Sequence, residues 1–273
     1  MALPSDLPLG KEVGYTSTYT PSLLCGIQRS EFRTPMGIED PLPFNGEDVW
    51  TGYEMSWLDE QGKPQVSGLR VHVPCTSMAV VESKSMKLYL NSLSETKFVQ
   101  RANVLSTLDS DLALAFRSPV LVELVDLKHL GSATDEMPGM CLDHLDIFVS
   151  EYHRNPQLLS TGDREHVVKE TYHTNLFRSL CPVTGQPDWA SIMVQYMGPP
   201  IDRDNLLKYL LSYRCHRAFH EAAIEQIFVD IEARCRPDQL TVFGRFLRRG
   251  GLDINPFRSN VEDVAPRLRL SRQ

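Results

Sequence analysis

The sequence predicts an α+β protein made of two tandem copies of one unit, each with an antiparallel sheet and with helices packed on one face. The first observation is an internal repeat, because ESKSMKLYLNS (82–92) aligns without gaps with DRDNLLKYLLS (202–212) at an offset of 120 residues. The second is that a strand-like apolar run follows each segment at a similar distance, SPVLVELVDL (118–127) and QLTVFGRFL (239–247). Together the two observations favour an ancient duplication.

The individual elements follow from periodicity and from turn residues. In the first copy, the apolar run 78–81 predicts a strand that ends at Glu82, and Ser83 or Ser85 is the predicted N-cap of the helix that follows. In the second copy, apolar residues recur at helical spacing and predict an amphipathic helix that begins near Phe219. The run 239–247 alternates as a strand does, before Arg249, Gly250 and Gly251 turn the chain.

The boundary between the two copies is predicted from composition. The segment NPQLLSTGDREH (155–166) is polar, contains Pro156 and Gly162, and lies between the repeated segments, so it is the expected linker. This gives an N-terminal module over 1–154 and a C-terminal module over 167–273.

Composition and charge exclude several classes of protein. The chain has 273 residues, with 28 Lys and Arg against 35 Asp and Glu, so its formal net charge of −7 offers no basic field for nucleic acid. No window approaches the roughly 20 apolar residues of a membrane span, and no secretory signal opens the chain. We therefore expect a cytoplasmic protein that acts on a small molecule.

The six cysteines are widely spaced. None forms a C-x-x-C pair, so neither a disulfide framework nor a zinc site is predicted, and the thiols are expected to be reduced. Cys215 and His216 are adjacent, a spacing at which two side chains cannot comfortably share one metal.

One candidate for chemistry is the segment SLCPVTGQPDW (179–189). Pro182 and Pro187 forbid a regular helix, so the segment is a loop that can bend a thiol, Cys181, and a carboxyl, Asp188, toward one small cavity. That pair would combine a nucleophile with a proton donor. The alternative is a buried structural cysteine beside an aspartate that caps its own turn.

A second candidate opens the predicted helix of the second copy. Phe219, His220 and Glu221 offer an aromatic ring, an imidazole and a carboxylate in succession, and neighbouring helical residues point about 100° apart. His220 and Glu221 could therefore reach different parts of one ligand. The alternative is a core histidine followed by a solvated glutamate.

A third candidate is a phosphate site. Lys84 and Lys87 lie near the start of the predicted first-copy helix, where backbone N–H groups and serine hydroxyls are expected to be free. Arg248, Arg249 and Arg258 flank the later turn and could bind further phosphates, although no Rossmann or Walker motif occurs. The alternative is a solvated basic hairpin tip.

Four motifs in order, ESKSMKLYLNS, SLCPVTGQPDW, FHE and RRGGLDINPFRSN, resemble the long, two-module form of the NADPH-dependent 7-cyano-7-deazaguanine reductases, the nitrile reductases of queuosine biosynthesis. LGK (9–11) and YTPSLL (19–24) look like the N-terminus of that family, so the resemblance covers nearly the whole chain. It implies two tandem tunnelling folds (T-folds), a homodimer, and active sites formed where the halves meet, so that neither half works alone.

The resemblance also implies a role for each site residue. Cys181 would add to the nitrile carbon to give a covalent thioimide, Asp188 would protonate the nitrogen, and His220 would assist proton delivery and close the pocket. NADPH would be used twice per turnover, to reach the aminomethyl product. The expected ligands of the deazaguanine substrate are Glu82, Ser83, Lys84, His220 and Glu221. Those of the cofactor are Lys84, Ser85, Arg249 and Gly250, with Lys87 and Arg248 as further candidates, and no metal is expected.

This chain departs from the family pattern at two places. Many relatives have a cysteine two residues after the Glu of F-H-E, able to form a protective disulfide with the nucleophile, whereas Ala223 stands here. Relatives also tend to have Tyr-Thr before R-R-G-G, whereas this chain has Phe246 and Leu247 and so lacks two hydroxyls near the expected cofactor.

Two other functions remain open from the sequence. A zinc-dependent, GTP cyclohydrolase-like hydrolase on the same fold would need a Cys/His ligand set, and Cys181 has no convincing partner for one. A non-catalytic purine-binding module would keep Glu82 and Glu221 but would have no use for Cys181 opposite Asp188.

Overall fold

A computed structural model describes residues 16–130 and 134–273, so LGK (9–11) lies outside the described residues. Helices in the described part of the chain are all too short or too polar to span a membrane. The chain divides into two compact units, the first over 16–39, 48–130 and 248–253, the second over 40–47, 134–247 and 254–273. The segment 155–166 lies within the second unit, and its role as the linker between tandem modules stays a prediction.

The first unit is a mixed α+β arrangement in which three strands are ordered β5-β3-β2. A shorter antiparallel pair joins β1 to β4, and α3 packs against β4 and β5. The elements are β1 (Gly26–Gln28), α1 (Ser30–Arg33), β2 (Asn45–Leu58, in this unit from Asp48), β3 (Pro64–Pro74), β4 (Ala79–Val81), α2 (Ser83–Ser92), α3 (Arg101–Phe116), β5 (Leu121–Val125) and α4 (Leu127–Leu130).

The second unit has the strand order β10-β9-β8-β7-β6. These strands pair antiparallel except at β6, which runs parallel to β7 over two residues. Two helices pack on this sheet, α6 against β9 and α5 against β7. The elements are β6 (Met140–Cys141), β7 (Val168–Leu180), β8 (Pro187–Gly198), α5 (Arg203–Leu211), α6 (His220–Cys235), β9 (Gln239–Phe246) and β10 (Leu252–Ser259, in this unit from Ile254).

The two units repeat the same local order of a strand hairpin, two helices and a further strand. The repeat extends to side-chain contacts, because Tyr89 of α2 donates a 2.7 Å hydrogen bond to Asp111 of α3 and Tyr209 of α5 donates a 2.7 Å bond to Asp230 of α6. Ser92 and Ser212, each three residues after these tyrosines, both return a 2.7 Å bond to the tyrosine carbonyl. The alignment found in the sequence therefore reflects equivalent positions in the two units.

The longer helices of the two units also end alike. Both α3 and α6 contain 16 residues, and each is followed by an arginine in the left-handed region, Arg117 (φ 52°) and Arg236 (φ 51°). A residue with positive φ ends a helix because it redirects the backbone away from the helical path. The internal repeat thus extends to helix length and to the way in which the helix ends.

The predicted elements of the second copy are confirmed. Helix α6 begins at His220 with Phe219 as its N-cap, and Ile224, Ile227, Phe228 and Ile231 are all buried in the core. Strand β9 covers most of the predicted run, but burial extends to both of its faces rather than to one. A strand that is buried on both faces need not alternate between apolar and polar residues, so its sequence does not show that both faces are covered.

The predicted N-cap of α2 is wrong. Neither Ser83 nor Ser85 caps the helix, since Glu82 is the N-cap residue and its carboxylate accepts hydrogen bonds from Lys84 N (2.6 Å) and Ser85 N (2.8 Å). Ser85 instead lies inside the first turn, where its hydroxyl donates to the Glu82 carbonyl. Serine is a common cap, but an acidic residue one position earlier satisfies the same orphan N–H groups with a charged acceptor.

Candidate active site

The hairpin between β7 and β8 positions Cys181 and Asp188. Cys181 follows the last residue of β7, and its N–H donates to the carbonyl of Gln186 (2.8 Å), which extends the ladder one step beyond Leu180 and Pro187. Asp188 lies opposite Ser179 in this ladder. Side chains alternate along a strand, so Ser179, Cys181 and Asp188 share one face, with the thiol and the carboxyl as diagonal neighbours.

The hairpin of the first unit shows how close such diagonal neighbours come. There Pro64 opens β3 as Pro187 opens β8, and Gly62 (φ 83°) takes the left-handed place of Gly185 (φ 69°). By this correspondence Asp59 and Gln65 stand where the second unit has Cys181 and Asp188. Gln65 Nε2 donates a 3.0 Å bond to Asp59 Oδ2, so side chains at these two positions can touch directly.

His220 reaches this face because the chain before α6 runs beside Cys181. Leu180 N donates to the carbonyl of His216 (2.8 Å) and Ala218 N donates to the carbonyl of Leu180 (3.1 Å), so 216–218 lie along the end of β7. His220 then opens α6 with Nε2 3.3 Å from Asp188 Oδ1, the two side chains being 15% and 7% exposed. Cys181 is 9% exposed. The carboxyl of Asp188 and the imidazole of His220 therefore meet where little water enters, on the hairpin face that Cys181 shares.

The imidazole of His220 has one further contact that fixes its plane. Phe246, at the end of β9, stacks on it face to face, with ring centroids 3.9 Å apart and an interplanar angle of 6°. His220 Nδ1 is buried and has no hydrogen-bond partner in the described part of the chain. A buried ring nitrogen without a partner is rare in native structures, so this atom is suited to a ligand.

Glu221 is the second residue of α6 and is 3% exposed. Its carboxylate lies in the first turn, where the unpaired N–H groups and the helix dipole stabilise a negative charge. The structure therefore places the last of the second-copy candidates next to His220, at a helix start that favours an anion. Cys181, Asp188, His220 and Glu221 all belong to the second unit.

In the first unit, Glu82 is 1% exposed and holds the start of α2. Burial raises the pKa of its carboxyl, although the hydrogen bonds from the Lys84 and Ser85 backbone and the nearby charges of Lys87 and Lys84 act in the opposite direction. The backbone N–H groups of Lys84 and Ser85, expected to be free for a phosphate, therefore donate to the Glu82 carboxylate instead. Ser83 and Lys84 are half-buried beside it on the first turn.

The first unit also contains the candidate cofactor residues Lys84, Ser85, Arg249 and Gly250. Gly250 has φ 57°, and a Cβ there would lie 3.1 Å from Lys87 Cδ, so the turn that carries Arg249 passes directly against the Lys87 side chain. Arg248, one residue earlier, stacks on the ring of Tyr53 at 4.8 Å. Cations grouped around a tight glycine turn fit the phosphates of a dinucleotide.

Ser85 is placed differently from the other cofactor candidates. Its side chain is fully buried, its hydroxyl donates to the Glu82 carbonyl (2.7 Å) and accepts from Cys25 N (3.0 Å), and its N–H donates to the Glu82 carboxylate. A phosphate contact from Ser85 therefore requires one of these bonds to open. Its assignment to the cofactor stays a prediction.

Phe246 is the site residue whose contact the sequence did not predict. The sequence marked it only as a departure from the family, by the hydroxyl it lacks, whereas the structure shows its ring against His220. The signal available was the position of an aromatic residue at the end of a predicted strand, which does not specify its partner. Across residues 16–130 and 134–273, no group of three or more His, Cys, Asp or Glu side chains is arranged to hold a metal ion.

A thiol on the same hairpin face as a carboxyl–imidazole pair is an arrangement typical of enzymes with a cysteine nucleophile. Family models agree with a more specific identity. The model described as "Nitrile reductase, 7-cyano-7-deazaguanine-reductase N-term" matches residues 15–124, and the one described as "QueF-like protein" matches residues 187–265.

Curated relatives match over almost the whole length. Proteins named NADPH-dependent 7-cyano-7-deazaguanine reductase are 48% identical in Chromohalobacter salexigens (97% of this chain, 96% of the relative) and 45% identical in Desulfotalea psychrophila (98% of each). The protein of that name in Hydrogenovibrio crunogenus is 48% identical over 97% of this chain and 96% of its own. The chain belongs to the family of NADPH-dependent 7-cyano-7-deazaguanine reductases.

Proposed function

We propose that this protein reduces the nitrile of 7-cyano-7-deazaguanine to the aminomethyl group of 7-aminomethyl-7-deazaguanine, in queuosine tRNA-modification biosynthesis. The observation that carries the proposal is the pairing of His220 Nε2 with Asp188 Oδ1 at 3.3 Å, on the hairpin face that also presents Cys181. Membership of the reductase family supplies the substrate and the reductant, since that is what the relatives are named for.

Cys181 and Asp188 perform the first step together. The Cys181 thiolate forms a C–S bond to the nitrile carbon as one π bond of the nitrile opens, and the nitrogen takes a proton from Asp188. The product is a covalent thioimide with a neutral C=N group. A nitrile needs this step because addition and protonation convert it into a better hydride acceptor.

Proton supply is the role of the Asp188–His220 pair in the later steps. NADPH, when bound, supplies one hydride to the substrate carbon in each of two successive reductions. After the first, the C–S bond breaks, Cys181 leaves as a thiolate and an imine remains. Asp188 lies within reach of His220, so His220 returns a proton to Asp188 as the substrate nitrogen gains its hydrogens.

Substrate recognition is assigned to carboxylates and their neighbours. Glu221 and Glu82 accept hydrogen bonds from the amino and ring N–H groups of the deazaguanine, because carboxylates suit guanine-like donor edges. His220 covers the bound ring and offers Nδ1, which is buried without a partner. Ser83 and Lys84 supply further polar contacts on the first turn of α2.

Cofactor binding is assigned to the first unit. Lys84 and Arg249 bind phosphate, Gly250 permits close approach of the backbone, and Lys87 joins them through its contact with the Gly250 turn. Ser85 is retained on the family resemblance alone, because both of its donors already bond Glu82.

The proposal also covers the fold of the two units, the oligomeric state and the location in the cell. We assign both units to the tunnelling fold, on the strength of their repeated local order and of the family. We expect a homodimer that binds no nucleic acid itself, since the net charge of −7 disfavours phosphate backbones. We place the enzyme in the cytoplasm, where thiols such as Cys181 stay reduced.

The test is turnover of the purified chain with 7-cyano-7-deazaguanine and NADPH, with the product identified by mass. Two NADPH consumed per aminomethyl product is the expected stoichiometry. Hydrolysis of GTP by a zinc-loaded sample that consumes no NADPH would favour the hydrolase alternative. Binding of the nitrile without any turnover would favour the purine-binding module.

The covalent step has its own test. Wild-type protein mixed with the nitrile in the absence of NADPH should gain the mass of one substrate, and Cys181→Ala should gain none and show no turnover. An unmodified wild-type mass, in protein that turns over when NADPH is added, would contradict the thioimide.

A further inference from the structure

The side chain of Gln273 is buried in the second unit beside the end of β9, where the ring of Phe246 stacks on His220. It is 5% exposed, and its oxygen accepts hydrogen bonds from Arg245 Nε (2.7 Å) and Leu270 N (3.3 Å). Its nitrogen donates to the carbonyl of Phe246 (3.0 Å) and to Asn255 Oδ1 (2.8 Å). A side-chain amide has two donor hydrogens and two acceptor lone pairs, so Gln273 uses its full capacity here.

Through these bonds Gln273 and Asn255 hold the backbone of Phe246. Strand β9 pairs with β10 from Thr241 to Phe243. Three residues later, Phe246 N donates to Asn255 Oδ1 (3.1 Å) and Phe246 O accepts from Gln273 Nε2. Both backbone polar atoms of Phe246 are thus bonded to the side chains of Asn255 and Gln273, which also bond each other. These bonds fix the backbone at the end of β9, from which the ring of Phe246 extends.

The ring of Phe246 transmits this position to His220. The two rings lie parallel at 3.9 Å, so a shift of Phe246 must tilt or displace the imidazole. At its edge, Nε2 of the imidazole lies 3.3 Å from Asp188 Oδ1, just beyond the usual range of an N–H···O hydrogen bond, so a shift of a few tenths of an ångström changes this contact strongly. The contacts therefore form a chain from Gln273 through Phe246 and His220 to Asp188.

We infer that Gln273 is a positioning residue for the reductase reaction, holding Phe246 so that His220 Nε2 keeps its 3.3 Å distance to Asp188 Oδ1. The inference rests on the role of His220 in the proposed function. The side chain of Gln273 bonds to Arg245, Leu270, Phe246 and Asn255, so its effect on His220 passes through the Phe246–His220 stack.

Two substitutions of Gln273 distinguish its bond to Arg245 from its bonds to Phe246 and Asn255. Gln273→Glu keeps an acceptor for Arg245 but removes the N–H donors to Phe246 and Asn255, whereas Gln273→Ala removes both sets of bonds. Both variants should lower kcat about five- to tenfold, which corresponds to one or two lost hydrogen bonds. KM should change less than twofold. Gln226→Ala, which removes a buried glutamine bonded to Asp230 at 3.2 Å, is the matched control and should leave kcat within twofold.

The decisive measurement is a double-mutant cycle with His220→Ala, because a merely structural role of Gln273 would not depend on the imidazole. In the His220→Ala background, Gln273→Glu should cause no further loss of kcat. As a control for folding, each protein that carries Gln273→Glu should melt at or slightly below the temperature of the same protein without it. The same fold loss with and without His220, or no loss in either, would overturn the positioning role. If His220→Ala itself leaves kcat unchanged, the failure lies with the proposed role of His220 instead.

Discussion

The hydroxyl of Tyr209 donates a 2.7 Å hydrogen bond to Asp230, a carboxylate that also takes two bonds from Arg154, at 2.8 and 2.6 Å. Tyr213 lies 3.0 Å from the Tyr209 hydroxyl and extends the group. Tyr213 also packs edge-on against His216, with ring centroids 5.1 Å apart, at the start of the segment 216–218 that lies along the end of β7. In the first unit, Tyr89 makes the equivalent bond to Asp111.

We predict that Tyr209→Phe lowers the free energy of unfolding by about 1.5–3 kcal/mol, because a buried hydrogen bond to a charged acceptor is lost while Asp230 stays buried. Urea denaturation would measure it. Tyr152→Phe is the control, since the Tyr152 hydroxyl is exposed and bonds only weakly, at 3.4 Å. Equal effects of the two substitutions would contradict the prediction.

Glu82 has two roles that one substitution would confuse, since it caps α2 and is expected to bind substrate. Glu82→Gln keeps an acceptor for the helix but removes the charge, and should weaken binding of 7-cyano-7-deazaguanine roughly ten- to a hundredfold, the cost of a charge-assisted hydrogen bond. Calorimetry in a Cys181→Ala background measures binding without adduct formation.

Asp202 provides the control for Glu82. It is the N-cap of α5 at the equivalent position of the repeat, its carboxylate accepts from Asn205 N (2.9 Å), and no role in the site is assigned to it. Asp202→Asn should leave the affinity within twofold. Unchanged affinity in Glu82→Gln would remove Glu82 from the substrate site and leave it a helix cap.

We expect Ala223 to leave Cys181 without protection against oxidation. Ala223 is fully buried on the first turn of α6, and no thiol there can trap an oxidised Cys181 as a disulfide. Burial raises the pKa of the Cys235 thiol to about 11, which keeps that cysteine protonated and slow to react. We predict that peroxide followed by reductant restores little activity in the wild type and more in Ala223→Cys.

Ala222→Cys is the matched control, because it places a thiol of the same size one residue earlier, about 100° around the helix. It should not protect. Full recovery of the wild type would contradict the prediction, and peptide mapping would then show whether a Cys181-linked disulfide had formed with another cysteine.

His216 should make stability depend on pH. Burial, together with the charge of Arg154, lowers the pKa of its imidazole below the ordinary value of 6.5, although Asp230 acts in the opposite direction. The unfolded chain then binds a proton more readily than the folded one. The contribution is therefore fully present above about pH 6.5 and is lost as the pH falls through the folded pKa.

The measurement is the melting temperature from about pH 7.5 to about pH 5.5 in the wild type and in His216→Gln, which cannot titrate there. On going to the lower pH, the melting temperature of the wild type should fall by more than that of the variant. A parallel fall in the two proteins, or a His216 pKa at or above 6.5 by NMR, would contradict the assignment.

The sequence predicted the α+β class, the internal repeat, the helix that starts near Phe219 and the loop that bends between Cys181 and Asp188. These features depend on residues near one another in the chain, where periodicity, proline and glycine restrict the backbone strongly. The cap of α2 was missed because several adjacent residues could satisfy the same N–H groups, and local pattern does not rank them. The roles of individual site residues came from the family resemblance, not from spacing.

The sequence by itself determined which residues with reactive side chains exist and which elements carry them. The tertiary structure decided which of them meet: Asp188 with His220, His220 with Phe246, and Phe246 with Gln273. Each of these pairs joins residues more than 20 positions apart. Their contact depends on strand register and on the path of the chain before α6. A shift of one residue in register would turn the side chain of Asp188 or of Phe246 to the opposite face of the sheet.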